Sequence, residues 1–177
     1  MLRQIVVCTA VAALLNSGMA PAATMPGHKG HERAAETGGG ARHADVAIPA
    51  DAKCPVCGMF VARFPDWTAT ARFKDGTTSY YDGPKDMFSH YLDTARYTPG
   101  KRQADITALS VKEYYSLATI DARSAWFVIG SDVHGPMGNE LIPFKSEKDA
   151  LAFKIDHKGK RILRFNEITR HTMKSLN

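Results

Sequence analysis

The chain has 177 residues, 44% hydrophobic and 23% charged, ordinary globular composition with enough length for one domain or two small ones. Its formal net charge is +5, with Lys and Arg scattered along the chain. That pattern argues against nucleic-acid binding and leaves, at most, electrostatic steering toward an acidic partner.

Residues 1–23 have the layout of a secretory signal peptide. Arg3 precedes an apolar run from Ile5 to Leu15, and small residues follow up to Ala20-Pro21-Ala22-Ala23. Cleavage is expected after Ala22 or Ala23, which removes Arg3 and lowers the formal charge to +4. The run is shorter than the roughly 20 apolar residues of a membrane-spanning helix, and no later run approaches that length. A soluble exported protein without stable membrane insertion is expected. Cys8 sits inside the apolar run rather than after it, so lipid anchoring is not expected and Cys8 should leave with the signal.

Residues 24–50 read as a flexible leader, Gly-rich and poor in large apolar groups. Met25, His28, His31 and His43 lie in it, either as a weak metal-capturing tract or as incidental residues of a linker.

A hairpin follows. Trp67, Ala69, Ala71 and Phe73 alternate, Asp75-Gly76 supplies the turn, and Thr77 to Tyr81 is rich in strand formers. Gly83-Pro84 suits a helix start, and Met87, Phe88, Tyr91 and Leu92 recur at helical spacing until about Asp93. Ile106 to Val111 reads as a third strand. The same order returns with Trp126 to Ile129, Glu140 to Phe144, a helix opened by Ser146 with Asp149 at capping distance, a stop at Gly159, a strand from Arg161 to Phe165, and a tail helix from about Asn166.

Pro84 to Phe88 aligns with Glu147 to Leu151 at an offset of 63 residues. The expected fold class is therefore α+β, a tandem pair of small ββαβ domains spanning 51–115 and 116–177.

The chemistry concentrates in CPVCGM, Cys54 to Met59. Four roles compete for Cys54 and Cys57. Structural zinc wants four ligands, and no second Cys-x-x-Cys is present. A redox dithiol favours a helix N-terminus, whereas Gly58 to Phe64 looks extended and Pro65 interrupts. A disulfide would close a very small loop, yet an oxidising compartment favours one whenever the site is empty. A Cu(I) site uses all three sulfurs, because thiolates and thioethers are soft donors and Met59 adds one. Met137, flanked by glycines in Gly135-Pro136-Met137-Gly138, is either a further donor or a packed loop residue.

Met87, Trp67 and Trp126 read as core residues. His90, His134, His157 and His171 lack ligand-like spacing and read as surface or capping residues, His134 being the one near Met137. No nucleophile elbow, phosphate loop or paired-carboxylate pattern stands out, so no enzymatic hydrolysis is expected, and Asp82 reads as a turn or capping residue.

CGM at Cys57 to Met59, YYDGPKDMF at Tyr80 to Phe88 and GPMGNELIPF at Gly135 to Phe144 together resemble the NosL family of nitrous oxide reductase accessory proteins. The resemblance covers about residues 52–168. It implies two ββαβ domains, a fold shared with the organomercurial lyase (MerB) family. It also implies a periplasmic, non-enzymatic Cu(I) chaperone for the copper-sulfide centre of nitrous oxide reductase, with that enzyme or its maturation membrane complex as partner. The family motif falls on Cys57 and Met59, and the methionine of its GPMG run on Met137; Cys54 is an added candidate ligand. Members are typically lipoproteins, from which this sequence departs. The alternative from another class is a thiol-disulfide oxidoreductase using Cys54 and Cys57 in cuproprotein assembly.

Overall fold

A computed structural model describes residues 47–176. The signal segment, and the leader with its histidines as far as residue 46, lie outside the described residues.

The first half opens on a 3-10 turn, Val61–Arg63, followed by β1 (Ala69–Phe73) and β2 (Thr78–Tyr81). Asp75 Oδ1 accepts from the Thr77 N–H at 3.0 Å, and Gly76 takes φ +84°, a left-handed turn position open to glycine at little cost. Helix α1 (Pro84–Leu92) and the short α2 (Thr94–Tyr97) lead to β3 (Ile106–Lys112) and β4 (Thr119–Asp121). The four strands form one antiparallel sheet in the order β2-β1-β3-β4.

The second half contains β5 (Trp126–Ile129), a small arm of β6 (His134–Gly135) and β7 (Gly138–Asn139), β8 (Ile142–Phe144), α3 (Glu147–Asp156), β9 (Arg161–Arg164) and α4 (Arg170–Lys174). Its antiparallel sheet runs β8-β5-β9. Hairpin partner, first strand and last strand thus lie side by side in the same order as β2-β1-β3. The two hairpins differ in their connections: a tight Asp-Gly turn joins β1 to β2, whereas the β6–β7 arm is inserted between β5 and β8. The sequence division near residue 116 falls between β3 and β4, which are hydrogen-bonded neighbours.

β5 explains how the halves share a core. Side chains alternate across a strand, and here both faces are covered. Phe127 and Ile129 join the larger cluster with Ala69, Ala71, Tyr81, Met87, Phe88 and Leu109. Val128 joins the smaller one with Ile142, Phe144, Ala150 and Phe153 beneath α3. A strand buried on both faces reads as an unbroken apolar run. Helix α1 packs on the first sheet and, through Phe88, edge-to-face on Phe127 at 5.1 Å. It therefore buries Lys85, Asp86, Met87, Phe88 and His90 together.

Some local expectations change. Gly58 to Phe64 is not extended: it closes into the 3-10 turn before Pro65, with the Phe64 N–H bonded to the Val61 carbonyl at 2.9 Å. Trp67 lies ahead of β1 and is only half-buried, against Tyr114 at 6.5 Å, and Trp126 is also half-buried, with the Arg164 guanidinium over its ring. The tail forms a 3-10 turn, Phe165–Glu167, before α4, whose first turn is capped by Thr169. His90 is no surface residue. It is fully buried, with Tyr81 Oη 2.6 Å from Nδ1 and Thr98 Oγ1 3.1 Å from Nε2.

Candidate metal centre

CPVCGM folds as a tight reversal. The Cys54 N–H donates to the Met59 carbonyl and the Gly58 N–H to the Cys54 carbonyl, each at 2.9 Å, and Lys53 bridges to Phe60 at the base. Gly58 reverses the chain at φ +77°, a conformation that costs glycine least. Both thiols are thereby turned toward the start of α1. Cys54 is buried at 1% exposure and Cys57 is half-buried, so the pair has one inner and one reachable sulfur.

The facing groups are carboxylates. Cys54 Sγ donates to Asp86 Oδ2 at 3.2 Å, and Cys57 Sγ to Asp82 Oδ1 at 3.3 Å. One ligand atom from each of Cys54, Cys57, Asp82 and Asp86 lies within 4.8 Å of all the others. Asp82 Oδ2 is buried without a hydrogen-bond partner, an arrangement that costs stability unless something else compensates it. This corrects the reading of Asp82 as a turn residue and the absence of paired carboxylates. The available signal was Asp82-x-x-x-Asp86, a spacing of four across a helix start, which brings two carboxylates toward one face.

The electrostatics hold the thiols neutral. Burial pushes the Cys54 thiol far up, hydrogen bonding from the Cys57 backbone opposes this, and the charge of Asp86 adds to it. Cys57 is pushed up to about 12, again first by burial, with Met59's backbone opposing. Asp86 is held above the ordinary carboxylate range by burial; the two thiols pull it back and Asp82 pushes it further. Removing two thiol protons into this pocket is unfavourable unless a cation arrives to offset the charge. Two sulfurs and two oxygens around an orphaned carboxylate atom make a donor set suited to a thiophilic cation.

Met59 rides on the same turn, half-buried. Met137 lies in the turn between β6 and β7 and is 42% exposed. Its carbonyl accepts a 2.6 Å hydrogen bond from Lys85 Nζ, so the loop is fixed to the residue preceding Asp86. Sequence reasoning also missed Lys85 and Glu140. Glu140 is fully buried, and its Oε1 accepts the Lys85 N–H at 2.5 Å and its neighbour Leu141's at 2.9 Å. His134 is exposed on β6, and His171 is exposed on α4.

The sequence profile of the NosL family matches residues 45–173. Copper-binding lipoprotein NosL of Stutzerimonas stutzeri is 34% identical over 125 residues, covering 70% of this chain. The match spans 65% of that relative's length. The crystal structure of the copper chaperone NosL from Shewanella denitrificans superposes with a TM-score of 0.62 at 30% identity, over 71% of this chain and 96% of that one. The profile match covers the reversal with its thiols, both sheets and the Met137 arm, and on that extent the chain belongs to the NosL family.

Proposed function

We propose that this protein is a copper chaperone that carries Cu(I) on the Cys57 thiolate and the Met59 thioether, with Cys54 and Met137 completing a soft site of low coordination number. The observation that carries the reading is the convergence of Cys54 and Cys57 with Asp82 and Asp86 in one small pocket. A soft monovalent cation binds thiolates and thioethers in preference to carboxylates. On this reading Asp82 and Asp86 accept the thiol hydrogen bonds of the metal-free protein and so orient the sulfurs before the thiol protons leave. The half-buried Cys57 and the exposed Met137 leave a side from which an acceptor's ligand can attach before the donor lets go.

The names of the relatives support copper as cargo. Delivery to the copper-sulfide centre of nitrous oxide reductase, through that enzyme or its maturation membrane complex, belongs to this proposal, as do a periplasmic location and a role without catalysis. Among the described residues no helix is long and apolar enough to cross a membrane. The oxidoreductase alternative is weakened by the thiols themselves. Exchange chemistry needs a thiolate, and burial beside two carboxylates raises both cysteines.

Anaerobic titration of the reduced protein against a competing Cu(I) chelator tests the reading. Tight one-to-one binding that collapses in Cys57→Ser is expected; weak binding, or binding unchanged in that variant, overturns it.

A further inference from the structure

We propose that Lys85 and Glu140 are positioning residues for copper, a clamp that holds the Pro136–Met137 turn onto the start of α1 beside the two cysteines. The inference rests on the copper reading above, and specifically on Met137 as a sulfur donor. The β6–β7 arm is a ribbon of two-residue strands. Isolated two-stranded ribbons are marginal in water, so the place of Met137 depends on what the arm is tied to.

Asn139 of the arm donates from its side-chain amide to the Leu176 carbonyl at 3.4 Å; the ties next to Met137 meet at one helix end. The N-cap of α1 is Gly83, which offers no side-chain hydrogen bond. Glu140, 55 residues further along the chain than Lys85, supplies the acceptor instead by taking the Lys85 N–H. Lys85, only 7% exposed, turns its ammonium to the Met137 carbonyl. The same lysine thus binds Glu140 through its main chain and Met137 through its side chain, while its neighbour Asp86 receives the Cys54 thiol.

Two glycines make room for this. A methyl group on Gly83 would overlap Glu140 Oε2, and one on Gly135 would come within 2.9 Å of Glu140 Cγ and Oε2. Neither glycine has a left-handed φ, so space is the reason for both. Gly83 precedes α1 and Gly135 lies in the arm; the Glu140 carboxyl group sits between them and is bonded to the Lys85 N–H of α1. A buried ammonium and a buried carboxyl group are costly to desolvate. An arrangement that orients a metal donor gives that cost a function that an apolar contact would not supply.

The test is a double-mutant cycle on anaerobic Cu(I) affinity, with X-ray absorption counting the sulfur ligands. Met137→Leu weakens binding. Lys85→Leu, which introduces no sulfur, weakens it about tenfold, the scale of one lost charge-assisted hydrogen bond, and lowers the sulfur count. The double variant is no weaker than Met137→Leu alone, because the clamp acts through that sulfur. Lys85→Arg, which keeps a charged donor, restores most of the affinity; Glu140→Leu, which removes the acceptor of the Lys85 N–H, behaves like Lys85→Leu, and Glu140→Gln, which keeps an acceptor oxygen there, retains most of the affinity. Circular dichroism establishes that each variant is folded; a purely structural role lowers the melting temperature and leaves the sulfur count intact, which overturns the clamp. Weak Met137→Leu binding beside unaltered Lys85→Leu binding, or losses that add in the double variant, also overturns it. A Met137→Leu protein that binds like wild type refutes the thioether reading itself, and the clamp with it.

Discussion

Helices α1 and α3 occupy the same place in the two halves, and their first residues, Pro84 and Glu147, are 63 positions apart. At that offset Lys85-Asp86-Met87 faces Lys148-Asp149-Ala150, and His90 faces Phe153. In α3 the lysine is exposed, the aspartate joins the cap with Ser146, and only Ala150 and Phe153 are buried. In α1 the same residue types are submerged: the lysine reaches Met137 and the aspartate receives Cys54. One helix closes the outside of a sheet, while the other packs on the first sheet and against Phe127 of the second. Ionisable groups acquire shifted, directed chemistry in the second setting and only solvate the first.

The largest expected effect lies in the plain half. Phe153 packs at 5.0 Å on Phe144 and 4.8 Å on Tyr114, and Phe153→Ala should cost about 3–5 kcal/mol of folding stability, as buried Phe truncations do. Copper affinity of the protein that remains folded should not change, since none of the four clustered ligand residues touches that ring. Urea unfolding followed by Cu(I) titration at low urea checks both halves of the statement. A parallel loss of affinity would mean that the two settings are one.

Phe153's counterpart, His90, gives a smaller and pH-dependent effect. Burial, with the charge of Lys101 adding, pulls His90 down to about 4 from an ordinary 6.5. It faces Tyr81 from β2, Phe73 from β1, Tyr97 from α2, and Thr98. The folded protein keeps this imidazole neutral while the unfolded chain protonates it. The associated stability is therefore complete above about pH 6.5 and is lost as pH falls toward about 4, by up to about 3 kcal/mol. Asp86, one turn earlier on α1, is shifted upward by burial and contributes in the opposite sense. The useful measurement is the difference between wild type and His90→Gln in urea midpoint at pH 7 and pH 5. His90→Gln should flatten the acid loss, and an equal loss in both proteins would remove His90 as its source.

Much of the frame was legible because it is written in local signals. Asp75-Gly76 marks a turn, Gly83-Pro84 a helix start and Ser146-x-x-Asp149 a cap, and each acts within a few residues of where it is read. The two thiols were legible for the same reason. Asp82, Lys85, Asp86, His90 and Glu140 were not, because their roles depend on α1 being covered from both sides, and that depends on β5 burying both of its faces. The helical period of Met87, Phe88, Tyr91 and Leu92 identifies one apolar face and gives no hint that the polar face is also enclosed.

The smallest effect separates the helices by how they start. Ser146 Oγ accepts the Asp149 N–H at 3.1 Å, a cap made within α3's own first turn, and Ser146→Ala should cost about 1 kcal/mol. Helix α1 has no such local device, and its acceptor is Glu140, delivered from the other half. A local cap is available as soon as its helix forms, whereas a distant one requires the second hairpin to be in place. Ser146→Ala should therefore lower the urea midpoint slightly and leave Cu(I) affinity unchanged. A change in affinity would show that α3's start reaches the thiol pocket, and the contrast between a helix that caps itself and one capped by its partner half would fail.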